Sequence, residues 1–248
     1  MERITSNKNP LLQHIRKLQS SRSYREECGE FVADGFKLLD EALKWYPRLK
    51  TVVLSEGCDC PSLPAGVRLV QVPQGTMENL STMKTPQGVV FTGEIPQQKQ
   101  VSIKRGAVLL DRIQDPGNLG TILRTADAFD IPVILTNGCA DPYSEKTIRA
   151  SMGAVFRRPI FSADMEQILR LCRAEDIPLA ATALTETAVD LRSIDISKHL
   201  VIIGSEGQGI CSRLLEASDR QIIIPMHPHC ESLNAAVAAA VVMWEMKH

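Results

Sequence analysis

The spacing of apolar and polar residues changes along the chain and divides it into two parts. The first part begins with helical spacing over about Pro10 to Gln19 and again over Phe36 to Trp45. Apolar strand-like runs lie between and after these two segments. They lie at Phe31–Ala33, Thr51–Leu54, Arg68–Val72 and Val89–Thr92. The pattern predicts a small α/β domain over residues 1–93.

A different pattern begins after residues 94–105, a polar segment that contains proline, has no periodicity and is predicted to be a linker. Short apolar runs then alternate with helical spacing, which predicts an α/β domain over residues 106–248 with a parallel sheet covered on both faces. Ligands of such sheets bind beyond the carboxyl ends of the strands. Predicted strands are Ala107–Leu110, Pro132–Leu135, Leu179–Thr182, Leu200–Ile203 and Gln221–Ile224. Predicted helices are Leu119–Phe129, Ser144–Met152, Met165–Ala174 and Ile210–Ala217.

The last apolar run, Ala235 to Trp244, has helical length and no polar face. A helix of this kind is expected to be covered on every side. It follows a polar loop that carries Ser232 and Asn234, so the loop is expected to be held against packed structure. A site is therefore more plausible there than on a free surface turn.

Composition restricts the class of protein. The 248 residues are 44% hydrophobic and 23% charged, as in an ordinary globular protein. No apolar run reaches the ~18 residues of a membrane span, and the first twenty residues are too polar for a signal peptide. We expect a cytoplasmic protein without a membrane partner. The seven scattered cysteines are expected to be reduced and mostly structural.

Charge is distributed unevenly. The net charge is −1, yet residues 1–25 hold six basic residues and one acidic residue, a local net charge of +5. Such a segment can track RNA phosphates, or it can be a solvated basic helix. The candidate RNA-binding residues here are Arg3, Lys8, Arg16, Lys17 and Arg22; Arg25 completes the basic set.

The first chemical motif runs from Asp111 to Ala126 and follows a predicted buried strand. Asn118 is expected near the N-cap of the next helix. Gly120 is unusual within a first helical turn, and it suggests a close approach to the backbone. Arg124, four residues later, is expected on the same helical face. The alternative is that Asn118 is only a cap and Arg124 only a surface cation.

Two further motifs also follow predicted strands. The segment Leu200–Ile210 places Glu206 among three glycines, and it matches neither a dinucleotide fingerprint nor a phosphate loop. The loop before the last helix adds Ser232 and Asn234. No nucleophile with a partner base is apparent, so the residues favour positioning of a ligand and a hydroxyl over covalent catalysis.

A metal site is not expected. His227, His229 and Cys230 imitate a metal-binding loop, but adjacent ligands in a proline-stiffened turn give poor tetrahedral geometry.

Together, the three motifs resemble the signature motifs of the SpoU (TrmH-like) RNA ribose methyltransferases of the SPOUT superfamily. The matching stretches are Asp115-Pro-x-Asn-x-Gly-Thr-x-x-Arg-Thr-Ala126, Ile203-Gly-Ser-Glu-Gly-x-Gly209 and Ile224-Pro-Met followed by Glu231-Ser-Leu-Asn234, with Arg149–Ala154 between the first two. The resemblance covers residues 106 to 246. More loosely, the front part resembles the L30e-like substrate-binding domain that often precedes this catalytic domain.

The resemblance implies S-adenosylmethionine as methyl donor, a ribose 2′-OH as acceptor, a deep trefoil knot and a homodimer with sites at the interface. By position it implies catalytic and substrate roles for Asn118, Arg124, Glu206, Ser232 and Asn234. Arg124 is also an RNA-binding candidate. Cofactor-binding positions would be Thr182, Ala183, Gly204, Gly209, Ile224, Met226, Ser232 and Leu233.

A guanidinium remains protonated in proteins, so we expect Arg124 to grip a phosphate or stabilise the developing alkoxide rather than act as a base. Ribosomal RNA is favoured over transfer RNA because the front domain is present. Pro228 stands where the family usually has glycine, which puts the detail of the cofactor loop in question. The alternative function is a non-catalytic RNA-binding protein with the same fold; a dehydrogenase would need the missing glycine fingerprint.

Overall fold

The computed structural model describes residues 2–97, 103, 106–227, 229–230 and 232–248. The chain forms two compact units. The first unit holds the residues up to Gln97 together with Tyr143–Arg157. The second unit holds the residues from Gln98 to Pro142 and from Arg158 to His248. In the described ranges, no helix has the length and apolar character that a membrane crossing requires.

The first unit is built on a mixed sheet. Its strands are β1 (Glu2–Arg3), β2 (Glu30–Asp34), β3 (Leu49–Ser55), β4 (Arg68–Val72) and β5 (Val89–Glu94). Its helices are α1 (Pro10–Ser20), α2 (Arg22–Cys28), α3 (Phe36–Trp45), α4 (Gln74–Leu80) and, from later in the chain, α6 (Glu145–Ser151) and α7 (Ala154–Arg157). The strand order is β1-β4-β3-β5-β2. β3 pairs in parallel with β4, whereas β5 runs antiparallel to both β3 and β2.

Local signals set the first helices. The Asn9 side chain accepts the Leu11 N–H at 2.9 Å, and Pro10 occupies the first helical position, where a missing N–H costs nothing. Ser21 caps α2, and Gly29, at φ 62°, ends it. One member of the basic set is not at the surface: Arg25 is buried and donates to the Leu18 carbonyl oxygen. The basic surface of residues 1–25 is therefore smaller than the sequence count indicates.

Aromatic side chains join Tyr143–Arg157 to the rest of the first unit. Phe156 lies against Phe31, Tyr46 and Phe91, with ring centroids 5.8, 5.4 and 6.2 Å away. Tyr143 stacks on Phe31 at 5.9 Å. These contacts make the segment part of the N-terminal core, although its position in the sequence lies within the predicted C-terminal domain.

The second unit is a parallel sheet covered by helices. Its strands are β6 (Ala107–Asp111), β7 (Val133–Leu135), β8 (Ile160–Ser162), β9 (Leu179–Thr182), β10 (Val189–Asp190), β11 (Leu200–Gly204) and β12 (Arg220–Ile223). Its helices are α5 (Pro116–Phe129), α8 (Met165–Glu175), α9 (Ser212–Glu216) and α10 (Ala235–Glu245), with a 3₁₀ turn at Leu191–Ser193. The order is β10-β12-β9-β11-β6-β7-β8, and every neighbouring pair in it is parallel. The predicted parallel α/β architecture is confirmed.

The final helix departs from its expected full burial. α10 packs against α5 and buries Ala235, Ala239 and Met243. Its opposite face stays open in the single chain, where Val237 is 49% exposed and Trp244 54% exposed. An apolar helix face of this kind is normally buried against another surface.

Other differences concern short elements. The pattern did not predict α2, α4 or β8, and α5 begins at Pro116 rather than Leu119. The division into residues 1–93, 94–105 and 106–248 stays a prediction, since most of the linker lies outside the described residues. Pro228, which bears on the cofactor loop, also lies outside them.

Candidate active site

The predicted cofactor residues surround one cavity at the carboxyl ends of β9, β11 and β12. Its volume is about 530 Å³, within the usual range for small-molecule sites. All eight residues line it: Thr182, Ala183, Gly204, Gly209, Ile224, Met226, Ser232 and Leu233. Glu206 lines it as well. The sheet thus brings the second and third motifs to one place, as parallel topology requires.

Asn118, Glu206 and Asn234 form a ring of hydrogen bonds beside the cavity. The Asn118 amide donates to Glu206 Oε1, and the Asn234 amide donates to Asn118 Oδ1 at 3.0 Å. Glu206 Oε1 also lies 3.4 Å from the backbone N–H of Ala235, the first residue of α10. The ring therefore ties the start of α5, the loop after β11 and the start of α10 together.

The ring also fixes which way each amide points. Asn234 Oδ1 caps α10 by accepting the backbone N–H groups of Ala236 and Val237 at 3.0 and 3.3 Å, so its NH₂ group must face Asn118. Asn118 then accepts with its oxygen and directs its NH₂ to Glu206. Because an ionised carboxylate only accepts, reversing either amide would set two donors or two acceptors against each other.

Asn118 does not cap its helix, contrary to the expectation from the sequence. Asp115 is the N-cap of α5, and its carboxylate accepts the Asn118 N–H at 2.7 Å. Both residues are good caps, but Pro116 fits the first helical position, which makes the residue before it the cap. The Asn118 side chain is consequently available for the ring.

Arg124 lies apart from the other predicted catalytic residues. It is exposed on α5, it does not line the cavity, and it makes no hydrogen bond or ion pair with the described residues. Gly120 is buried, so the two residues do not share one exposed face. The single chain brings four of the five predicted catalytic residues together and leaves Arg124 outside.

Two groups at the cavity have hydrogen-bonding capacity left. Glu206 Oε2 and the Ser232 hydroxyl make no hydrogen bond to any residue in the described ranges. Both residues are exposed and line the cavity. They can take a ligand without breaking an existing bond.

The fold of the loop after β11 itself requires glycine. A side chain on Gly204 would collide with the backbone of Gly209 and Ile210, where the loop folds back on the strand end. Gly209 itself has φ 63° and pairs with Ser205. The sequence suggested that a flat ligand requires these glycines; the loop's own closure already requires Gly204.

Sequence reasoning assigned no role to Asp111 and Arg112, which form hydrogen bonds with the loop Ser205–Cys211. Asp111 is buried and accepts the Cys211 N–H at 2.8 Å, and Arg112 Nη1 donates to Gln208 Oε1 at 2.9 Å. A carboxylate that ends a wholly apolar strand was the available signal for Asp111.

The candidate RNA-binding residues of the first unit are partly engaged with neighbouring groups. Arg3 pairs with Glu56, Arg22 pairs with Glu26, and Arg16 donates to the Asn7 carbonyl oxygen at 2.8 Å. Exposed ion pairs of this kind are weak, so they do not prevent an exchange of partners. The remaining two behave differently: Lys17 lies over the Tyr24 ring, and Lys8 is exposed.

Thiol and metal chemistry find no support among the described residues. No group of three or more His, Cys, Asp or Glu there is arranged to hold a metal ion. The seven cysteines, all in described positions, form no disulfide. Burial raises the pKa of the Cys172 thiol to about 11 and also raises the pKa of Cys139, so both stay protonated and unreactive.

Fold and cavity define an α/β protein with a small-molecule site at the carboxyl edge of a parallel sheet, and comparison with known proteins identifies the class. The SpoU rRNA methylase family matches residues 106–244, and the MRM3-like substrate binding domain matches residues 9–90. The chain is 31% identical to the 23S rRNA (guanosine(2553)-2′-O)-methyltransferase RlmP of Bacillus subtilis, over the full length of both.

Solved structures agree with this match. An rRNA methyltransferase from Sinorhizobium meliloti, crystallised with AdoMet bound, superposes with a TM-score of 0.88 at 33% identity, covering 99% of this chain and 97% of that one. Human mitochondrial rRNA methyltransferase 3 is 26% identical over 95% of this chain and 71% of its own length. The chain therefore belongs to the SpoU rRNA methylase family and is an S-adenosylmethionine-dependent RNA ribose 2′-O-methyltransferase.

The cavity suits S-adenosylmethionine. Apolar side chains such as Ile224, Met226 and Leu233 can enclose a flat purine, and backbone groups at the strand ends can bond its edge. The carboxylate of Glu206 gives the cavity an acidic group that complements a cationic ligand.

Proposed function

We propose that this enzyme methylates the ribose 2′-OH of a nucleotide in large-subunit ribosomal RNA. The observation that carries the proposal is the Asn118–Glu206–Asn234 ring beside the cavity, which supplies fixed polar groups and no nucleophile. The rRNA assignment rests on full-length similarity to RlmP, which acts on a guanosine of 23S rRNA. The matching N-terminal substrate-binding domain supports the same substrate class.

The chain's own residues act by orientation. S-adenosylmethionine supplies an electrophilic methyl group when it is bound. Asn118 presents an amide hydrogen whose direction the ring fixes, and the Ser232 hydroxyl can accept or donate a hydrogen bond to the ribose. Holding the two reactants in line can provide a large part of the rate enhancement, because it removes the entropic cost of alignment.

Arg124 would complete the site from a second copy of the chain. It lies outside the cavity of its own chain, it is exposed, and its guanidinium has no partner in the described ranges. A guanidinium suits a phosphate or a developing alkoxide. We propose a homodimer in which the open apolar face of α10, with Val237, Val241 and Trp244, lies in the interface.

Two structural features belong to the same proposal. The C-terminal unit would contain a deep trefoil knot around the cofactor, formed by the loops that follow β11 and β12. Residues 1–93 would bind RNA through the exposed basic residues of β1 to α2, and residues 94–105 would link them to the catalytic domain. The protein would act in the cytoplasm, although some of its relatives are mitochondrial.

Incubation with methyl-labelled S-adenosylmethionine and separate rRNA and tRNA pools tests the substrate class. We expect label in the large-subunit rRNA, and transfer RNA serves as the matched negative pool. Label in tRNA alone would overturn the rRNA assignment.

A further inference from the structure

Arg112 has a backbone conformation that its position in the chain does not explain. Its φ is 57°, in the left-handed region that side chains other than glycine rarely adopt. Among the described residues, the other non-glycine residues with positive φ are Asp130, Met152 and Asp176, and each of these is a helix C-cap. Arg112 follows a strand instead. Strained positions of this kind concentrate at functional sites.

The Arg112 side chain reaches the loop that carries Glu206. Nη1 donates to Gln208 Oε1 at 2.9 Å, and Nη2 lies 3.4 Å from the Gly209 carbonyl oxygen. Nε and Nη2 also bond Asp111 Oδ2 at 3.3 and 3.2 Å. Since the same carboxylate oxygen accepts the Cys211 N–H at 2.8 Å, this pair holds the loop at both Gln208 and Cys211.

The surroundings accommodate this unusual conformation. Thr136 Oγ1 accepts the Arg112 N–H at 3.2 Å and donates to Asp111 Oδ1 at 3.1 Å. Gly138 leaves room for the arginine stem, because a Cβ there would lie only 3.2 Å from Arg112 Cγ. Contacts from the turn after β7 thus fix the direction in which the guanidinium points.

We infer that Arg112 is a positioning residue that keeps the Ser205–Cys211 loop closed, and thereby places Glu206 and the cavity wall for the reaction. The inference takes the location of the site from the proposed function. The loop contains Gly207 and Gly209, which impose little order by themselves. The hydrogen bonds from Arg112 to Gln208 and Gly209 therefore restrict the motion of a loop that is flexible by itself.

Substitution by glycine separates this role from a merely structural one. Arg112→Gly removes the guanidinium and relieves the left-handed backbone, but it also leaves the buried Asp111 carboxylate without its ion pair, so binding is measured well below the melting temperature of each variant. Loss of the charged hydrogen bonds should weaken S-adenosylmethionine binding about tenfold in calorimetry. It should raise the KM for the cofactor more than it lowers kcat. Arg112→Lys, which keeps the charge but loses the fork geometry, should recover part of the affinity.

Asp176→Gly is the matched control. It relieves left-handed backbone at the end of α8, away from the loop, and should leave cofactor binding unchanged. Unchanged affinity in Arg112→Gly, or an affinity loss that only follows a drop in melting temperature, would overturn the inference.

Hydrogen exchange of the ligand-free protein tests the inference even if the proposed function fails. The amides of Ser205–Cys211 should exchange at least tenfold faster in Arg112→Gly than in the wild type, with β6 unchanged. Equal exchange in the loop would rule out the positioning role, whatever RNA the enzyme does or does not methylate.

Discussion

The side-chain amide of Asn234 donates to the side-chain oxygen of Asn118, 116 residues earlier in the chain, at 3.0 Å, and so links the starts of two helices. Asn234 is oriented by the helix it caps, and it orients Asn118 in turn. The N-terminus of α10 thereby determines that Asn118 presents its NH₂ group to Glu206. The first prediction concerns this dependence.

Replacing Asn118 by alanine should reduce kcat about 100-fold, as the loss of one preorganised donor does in other enzymes. Asn234→Ala should have a similar effect because it frees the Asn118 amide to rotate. The double variant should be little worse than either single one, since the two act as a unit. Initial rates with saturating cofactor measure this, and independent, multiplying losses would contradict the ring.

The second prediction concerns the open face of α10. Val241→Glu places a charge among Val237, Val241 and Trp244 and should convert the proposed dimer to monomers in analytical ultracentrifugation. Lys247→Glu, near the same end of the chain but outside that apolar face, is the matched control and should stay dimeric. A wild-type protein that sediments as a monomer would remove the basis for this interface.

The third prediction places Arg124 in the partner's site. Arg124→Ala and Asn118→Ala should each be nearly inactive alone. A mixed dimer, purified with two different tags, keeps one complete site and should regain roughly half of the wild-type rate. If Arg124 acts within its own chain, the mixed dimer has no complete site and stays inactive.

The fourth prediction concerns the segment Tyr143–Arg157. Phe156 is 5% exposed and packs on three aromatic rings of the first unit, so Phe156→Ala should cost about 3–5 kcal/mol of stability. The loss should appear as faster hydrogen exchange in β2 and β5. Phe161→Ala, in the second unit, should leave the exchange of β2 and β5 unchanged. Equal exchange in β2 for Phe156→Ala and the wild type would contradict the assignment of this segment to the N-terminal core.

The fifth prediction is a pH dependence. Burial lowers the pKa of His199 below 6.5, although Asp195 and Asp219 oppose this effect and Arg220 adds to it. The unfolded chain then binds a proton more readily than the folded chain, so stability is complete above pH 6.5 and falls as the pH drops below it. His199→Gln should flatten that decline in urea titrations between pH 7.5 and 5.5. An unchanged slope would assign the decline to other groups.

Periodicity predicted the elements whose apolar residues face one core, including β6, β7, β9, β11, β12 and the helix Phe36–Trp45. It missed α2 and α4, which are short and depend on their ends, such as Ser21 and Gly29 around α2. It placed the cap at Asn118 rather than Asp115 because either residue could serve. The association of Phe156 with Phe31 joins residues that are distant in sequence, and no local pattern contains that information.

The residues of the candidate site were easier to predict than Arg112 and the other residues that hold the site in place. The resemblance to the SpoU family implied most of the cavity lining, and parallel topology accounts for the meeting of these residues, because it collects the strand ends at one edge of the sheet. The left-handed backbone of Arg112 depends on Thr136, Gly138 and Gln208, which lie in other parts of the chain. A polar residue between a strand and a turn does not reveal such a conformation by itself.

The most direct test of the account is the chemical position of the transferred methyl group. Labelled rRNA from the wild-type reaction is hydrolysed with alkali, and the fragments are examined by mass spectrometry beside those from Asn118→Ala. We expect a methylated ribose at one nucleotide, where the following bond resists alkali because its 2′-OH is blocked, and little product from the variant. A methyl group on a base, with the bond cleaved normally, would contradict it.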